Sequence, residues 1–297
     1  MQNFPNITHN PDGSIIQDQN QIYKNRAPFI AEYGATSNSL VSVMPFHGWL
    51  ISMTESPLFH LHDPYTLEIV HELDIRDSPN LPETMIITTV TAHGVMDVER
   101  GSFWNSGSAT DTSGAAPRLG NYVVESRNAF RPLTDPFSDR STPEQVMASF
   151  RFSELLPNVN PLDLSIHYYH QFGLTSNYII LPMNSVSMKA GEIMASMMNG
   201  GDVFQALHYD GDMLFEFKIF NKNTFRFESR NFQTDPGLST HLINSYENEN
   251  GEIILDTLMA SNGDILTQYT FEIINATGAQ LDANFFKYCS DWRLSSI

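Results

Sequence analysis

The feature that most constrains this chain is a succession of short runs rich in β-branched and aromatic residues, cut at close intervals by turn signals. Ser39–Pro45, Trp49–Thr54, Thr84–Thr91, Tyr178–Leu181, Met213–Phe220, Thr240–Tyr246, Glu252–Thr257 and Ile265–Ile274 read as strands. His47-Gly48, Asp63-Pro64, Asn250-Gly251 and Asn262-Gly263 break the chain between or beside them. This pattern predicts an all-β, mostly antiparallel fold. Periodicity leaves a sandwich, a barrel and a propeller open. Helical signal is confined to Thr142-Pro143-Glu144-Gln145-Val146-Met147, which starts like a capped short helix, and to 187–200, where Met188, Ile193, Met194, Met197 and Met198 form an irregular apolar face. Residues 101–140, rich in Gly, Ser, Thr, Asp and Pro, read as a long polar excursion between core strands. No composition shift divides the chain, so 1–297 is read as one domain.

Charge and cysteine count remove several classes. Sixteen Lys and Arg against 34 Asp and Glu give a net charge of −18, a field that repels nucleic acid backbones and anionic membrane surfaces. Nucleic acid is therefore not an expected partner. Cys289 is the only cysteine, which excludes an intramolecular disulfide framework and any cysteine-based metal cluster. No apolar stretch reaches the roughly 18 residues of a spanning helix, and the first residues lack the basic and apolar regions of a secretion signal. The expected location is the cytoplasm, with peripheral membrane contact through Met194, Met197 and Met198. Helical His-Glu-x-x-His, Gly-x-Gly-x-x-Gly, Gly-x-x-x-x-Gly-Lys and Gly-x-Ser-x-Gly patterns do not occur.

Imidazole is the side chain best suited to redox-active first-row metals, and the chain carries ten. His93 follows Val90-Thr91-Ala92 at a strand end. His170 precedes the turn Gln171-Phe172-Gly173-Leu174-Thr175-Ser176-Asn177 and an apolar strand, and His241 opens Leu242-Ile243-Asn244-Ser245-Tyr246-Glu247. If these three share a site, their separations of 77 and 71 residues require a fold that gathers distant strand ends at one axis, as a propeller does. His60 and His62 share a strand face but precede the Asp63-Pro64 turn and read as a solvated edge. His167, three residues before His170, falls on the opposite side of an extended strand.

Thr91-Ala92-His93, His170 to Tyr178, and His241 to Glu247 resemble, in order, three of the iron-ligand motifs of the carotenoid cleavage oxygenase family. Trp49-Leu50-Ile51-Ser52-Met53-Thr54-Glu55 is similar to the family strand that ends in Thr-Glu. The resemblance implies a seven-bladed β-propeller with Fe(II) on its axis. It makes His93, His170 and His241 metal ligands and Glu55 an outer acceptor for an imidazole N–H. It implies a nonheme iron dioxygenase that cleaves a conjugated double bond of a carotenoid or apocarotenoid with O₂. The sequence departs from the family at Gly94, where proline is common, at Val95, where a further histidine is common, and in having no histidine after His241. These departures imply the central portion of a propeller, without the family's C-terminal part and N-terminal start, and reduced turnover. The alternatives are a retinoid isomerohydrolase-like enzyme and a noncatalytic propeller remnant that binds lipid or a protein partner. Phe46, Phe172, Tyr178, Phe204, Phe215 and Phe217 are candidates for an apolar polyene tunnel or for ordinary core packing.

Overall fold

Backbone hydrogen bonding sorts the strand-forming runs into five antiparallel sheets. The computed structural model describes residues 41–130, 137–158, 165–189, 191–192, 206–263, 266 and 289–294. Sheet 1 is a meander of β1 (Ser42–Phe46), β2 (Trp49–Met53), β3 (Leu58–His62) and β4 (Ile69–Asp74) in sequential order. Sheet 2 contains β5 (Met85–Val90), β6 (Val95–Asp97), β7 (Ser102–Asp111), β8 (Arg118–Ser126), β9 (Phe150–Phe152) and β10 (Leu156–Pro157), with β7 and β8 central. Sheet 3 is β11 (Ser165–His167), β14 (Val186–Lys189) and β15 (Leu207–Tyr209). Sheet 4 runs through β12 (Gly173–Leu174), β13 (Tyr178–Met183), β16 (Phe215–Asn221) and β17 (Arg226–Thr234). Sheet 5 is β18 (Leu242–Glu247), β19 (Ile253–Leu258) and β20 (Cys289–Leu294). Helix α1 (Pro143–Ser149) starts where the sequence predicts. Thr142 accepts from the Gln145 N–H, and the Gln145 side chain accepts from the Thr142 N–H.

The strands alternate between two buried faces, and this alternation stacks the sheets. Phe103 and Val124 turn toward sheet 1, packing with Phe46, Ile51, Met53, Phe59 and Leu61. Their sequence neighbours Trp104 and Val123 face the other way, against Ile179, Leu181, Met183 and Phe220 of sheet 4. Ile180, Phe217 and Ile219 then turn from sheet 4 toward Ile253 and Leu255 of sheet 5. Sheets 1, 2, 4 and 5 thus stack face to face in series, each core layer formed by the opposite parity of the same strands. Among the described residues no sheet closes on itself.

Two expectations change. The polar segment 101–140 is not an excursion in its first part. β7 and β8 are the central hairpin of sheet 2, and Ser102–Ala109 is buried throughout. Its small polar side chains tolerate burial because they are paired: Ser106 Oγ donates to the Tyr122 carbonyl at 2.7 Å, and the Thr89 and Ser108 hydroxyls meet at 2.7 Å. Composition alone mistakes such a strand for a loop. Nor does 187–200 begin as a helix, since its first residues belong to β14. Met194, Met197 and Met198 lie outside the described residues, as do Phe204 and, apart from Leu266, the run Ile265–Ile274. Phe46, Phe172, Phe215 and Phe217 are sealed in the core layers. Among the described residues no helix is long and apolar enough to cross a membrane.

Candidate metal centre

Four strand ends from four different sheets converge on one point. His93 lies in the short link between β5 and β6, His170 between β11 and β12, His241 immediately before β18, and Glu55 just past β2. One ring nitrogen from each histidine lies within 4.8 Å of those of the other two. The ring centroids are 4.5 Å apart for His93 and His170 and 5.1 Å for each pairing with His241, all near-perpendicular. Three segments 77 and 71 residues apart thus supply one cluster.

Local packing explains why the chain can bring His93 this close. A Cβ on Gly94 would sit 2.4 Å from the Phe103 ring and 3.1 Å from Asn105 Nδ2, so the link after His93 lies directly on the sheet 2 core. Asn105 braces the same link: its carboxamide donates to the Thr91 carbonyl at 3.1 Å and accepts from the Thr91 hydroxyl at 2.7 Å. The other two histidines are held by a lateral seam between 171–177 and β18. Ser245 Oγ accepts from the Leu174 N–H at 2.9 Å and donates to the Leu174 carbonyl at 2.8 Å. Glu247 accepts from the Thr175 hydroxyl at 2.5 Å and from the backbone and side-chain N–H groups of Asn177 at 2.8 Å. The Gly173 position admits only tight contacts with Leu255 and Ser245 at 3.2 Å, which lets the two segments lie flank to flank.

Desolvation and the neighbouring imidazoles favour the neutral forms of His93 and His241. His93 is pushed down to about 4, first by desolvation and then by His170 and His241, with Glu55 pulling the other way. Burial also lowers His241, helped by His170. Glu55 Oε1 lies 2.6 Å from His170 Nδ1, and a carboxylate can only accept there, so Nδ1 carries a proton and the ring turns Nε2 to the cluster. His93 Nε2 lies 2.8 Å from His170 Nε2. Tyr168 donates its hydroxyl to the same Glu55 oxygen at 3.0 Å, and burial, then Glu55, raises its phenol. His241 Nδ1 lies 3.1 Å from Gln171 Oε1.

The structure brings together all the sequence-selected site residues: His93, His170, His241 and Glu55. Sequence reasoning missed Tyr168 and Gln171, which flank His170 and take their roles from partners 70 or more residues distant. The remaining described histidines stay outside the cluster. His60 is not on a solvated edge; β3 runs between β2 and β4, His60 is buried, and its Nε2 meets Glu72 at 3.0 Å. His62 Nε2 bonds to Ser52 at 2.7 Å, and His167 sits half-buried in β11.

Three imidazoles with converging nitrogens, one backed by a carboxylate, form a donor set that fits a divalent first-row metal. Comparison with known proteins supplies the context. The family model for retinal pigment epithelial membrane protein matches residues 12–296. The chain belongs to that family. It is 22% identical over 222 residues to the carotenoid isomerooxygenase of Galleria mellonella, covering 74% of this chain and 38% of that protein. It is 24% identical over 242 residues to the beta,beta-carotene 15,15'-dioxygenase of Mus musculus, covering 81% of this chain and 39% of that protein. Pseudomonas brassicacearum lignostilbene dioxygenase aligns with a TM-score of 0.48 at 18% identity, over 82% of this chain and 45% of that one. The chain spans about two fifths of the length of the curated relatives it matches.

Proposed function

We propose that this chain forms the metal-binding part of a nonheme iron(II) oxygenase acting on a carotenoid or apocarotenoid, with its sheets arranged as blades of a seven-bladed propeller. The observation that carries this reading is the convergence of His93, His170 and His241 within 4.8 Å in a chain of this family. Imidazole nitrogen accommodates zinc, copper and nickel as well as iron, so the choice of iron rests on the resemblance of the histidine motifs. His93, His170 and His241 would hold the ion, which would supply dioxygen activation beside the polyene.

The chain's own residues do the positioning. Glu55 holds the His170 proton on Nδ1 and so directs Nε2 to the cluster, while Tyr168 ties down the same carboxylate. Desolvation and the neighbouring imidazoles favour the neutral forms of His93 and His241, the form in which imidazole is a ligand. Cleavage of a conjugated C=C by O₂ leaves one oxygen atom on each former alkene carbon, which balances without an amino acid nucleophile or an external reductant.

The likeness to an isomerooxygenase supports a second reading in which double-bond isomerisation accompanies cleavage. In the same proposal 1–297 is one domain, cytoplasmic, with salt-insensitive apolar contact to a neutral lipid surface, since a charge of −18 repels anionic headgroups. The test is anaerobic reconstitution with Fe(II), metal analysis of wild type and His170→Ala, and product analysis with β-carotene in air. Near-stoichiometric iron in wild type, lost in His170→Ala, with aldehyde products is the expected result. Equal, negligible iron in both proteins would overturn the metal reading, and iron without products would reduce the chain to a binding role.

A further inference from the structure

His170 and His241 are held by different chemistry, and the second arrangement determines more than a distance. The Gln171 carboxamide faces the backbone of Leu242. Its Oε1 accepts from the Leu242 N–H at 3.2 Å, and its Nε2 donates to the Leu242 carbonyl at 3.3 Å. An amide oxygen cannot donate and an amide nitrogen cannot accept, so this pair of contacts fixes which way the side chain points. The oxygen is therefore the atom that lies 3.1 Å from His241 Nδ1. A hydrogen bond there requires the proton on His241 Nδ1, which leaves Nε2 as the free ligand nitrogen.

We propose that Gln171 is a positioning residue that fixes the tautomer of His241, as Glu55 does for His170, while locking the start of β18 to the segment that carries His170. The inference rests on the reading of the cluster as a metal site for its purpose, but not for its geometry. Three observations support the assignment. Gln171 adjoins His170 in sequence, so one short segment supplies a ligand and orients another that lies 71 residues on. The amide continues the seam formed by Ser245 with Leu174 and by Glu247 with Thr175 and Asn177, so its place is set at several points. Finally, both Oε1 contacts are used, one on the peptide and one on the ring, which leaves the side chain no equivalent orientation.

The test reads the tautomer directly in the metal-free protein, by long-range ¹H–¹⁵N correlation of the imidazoles. His241 is assigned from the signals that vanish in His241→Ala. Wild type is expected to show His241 protonated on Nδ1. Gln171→Leu should relax it to the mixture of an unconstrained ring, and Gln171→Glu, which keeps an acceptor, should retain Nδ1–H. Near-ultraviolet circular dichroism reports whether each variant is folded. If Gln171→Leu fails to fold, the wild-type and Gln171→Glu spectra still decide. An Nε2–H tautomer in wild type, or an unchanged tautomer in folded Gln171→Leu, would overturn the proposal. A parallel Co(II) titration followed by its visible absorption should show affinity about 10- to 100-fold weaker in Gln171→Leu, with Gln171→Glu close to wild type. If wild type bound no Co(II), the metal-site reading would fall, while the tautomer spectra would still settle what Gln171 does.

Discussion

The junction between sheets 2 and 4 is held by charge, whereas the junction between sheets 4 and 5 is stitched mainly by side chains reaching backbone. In the first, the fully buried Lys222 ammonium lies 2.6 Å from Asp97 and donates to the Thr175 carbonyl at 2.6 Å. Burial lowers its pKa, and Asp97 works against that shift. In the second, Gln171, Ser245 and Glu247 in turn engage Leu242, Leu174 and Asn177. A buried ion pair is intolerant of losing a partner, because the remaining charge stays desolvated. Directional bonds to peptide groups are individually weaker, but they fix the register residue by residue. These charged contacts involve none of the three histidines, while the hydrogen-bonded joint carries two of them.

The largest expected effect comes from breaking the charged joint. Lys222→Met leaves Asp97 charged and buried, with Arg100 at 3.6 Å the only cation beside its carboxylate among the described residues, and urea unfolding should show a loss of up to about 3–5 kcal/mol. Adding Asp97→Leu should restore much of it, because the stranded charge is then gone. Wherever these variants remain folded, Co(II) affinity should stay near wild type. A loss below about 1 kcal/mol in Lys222→Met would mean that the pair does not carry the junction, and the contrast drawn here would fail.

Gly94→Ala follows. The added methyl meets the Phe103 ring, which is fully buried and packed edge-on against Phe46 with centroids 5.2 Å apart, so it has nowhere to retreat. Overpacking of this kind costs about 1–3 kcal/mol, measurable in a thermal melt. Because Gly94 adjoins His93, Co(II) affinity should fall as well. A stable Gly94→Ala protein with unchanged affinity would show that the link bearing His93 is looser than the packing indicates.

The strands at both junctions were legible because their periodicity is local. Met85–Val90, Tyr178–Met183 and Ile253–Leu258 announce themselves through β-branched and apolar runs. The three histidines and Glu55 were legible through motif resemblance, since nothing in their spacing alone says that residues 71 and 77 positions apart will meet. Two things were hidden. Ser102–Asp111 reads as loop because its buried hydroxyls and amides find partners only once neighbouring strands are in place. Tyr168 and Gln171 look like ordinary flanking residues because their meaning is their partners: Glu55 for one, Leu242 and His241 for the other. Sequence reveals a residue's own preference for water or core, but the pairing that makes a buried polar group tolerable is a property of the assembled sheets.

A smaller effect sharpens the hydrogen-bonded joint. Ser245→Ala removes an acceptor for the Leu174 N–H and a donor to the Leu174 carbonyl, while the methyl still fills the contact with Gly173. The expected loss is about 1 kcal/mol in urea unfolding, with the fold intact. Its signature lies in the cluster: Co(II) affinity should drop although no ligand and no ligand partner has been touched. Equal affinity in Ser245→Ala and wild type would assign the register of the two histidines to Gln171 and Glu247 alone.

The smallest effect is a change in slope with pH. His93 titrates near 4 in the folded chain against about 6.5 in an unfolded one, so between those values the unfolded state binds the extra proton. Stability contributed by the neutral ring is therefore complete above about pH 6.5, declines as pH falls through the window, and is gone below about 4. Carboxylates elsewhere contribute their own acid sensitivity, so the informative quantity is the difference between wild type and His93→Leu in unfolding free energy at several pH values. His93 is half-buried, and solvent screening keeps that difference modest. The variant should show a shallower dependence from pH 6.5 to 4 and the same dependence above 6.5. Parallel curves across the whole range would mean that His93 is not held neutral by burial, and the cluster would then lack the desolvated ring that separates it from a chance meeting of three histidines.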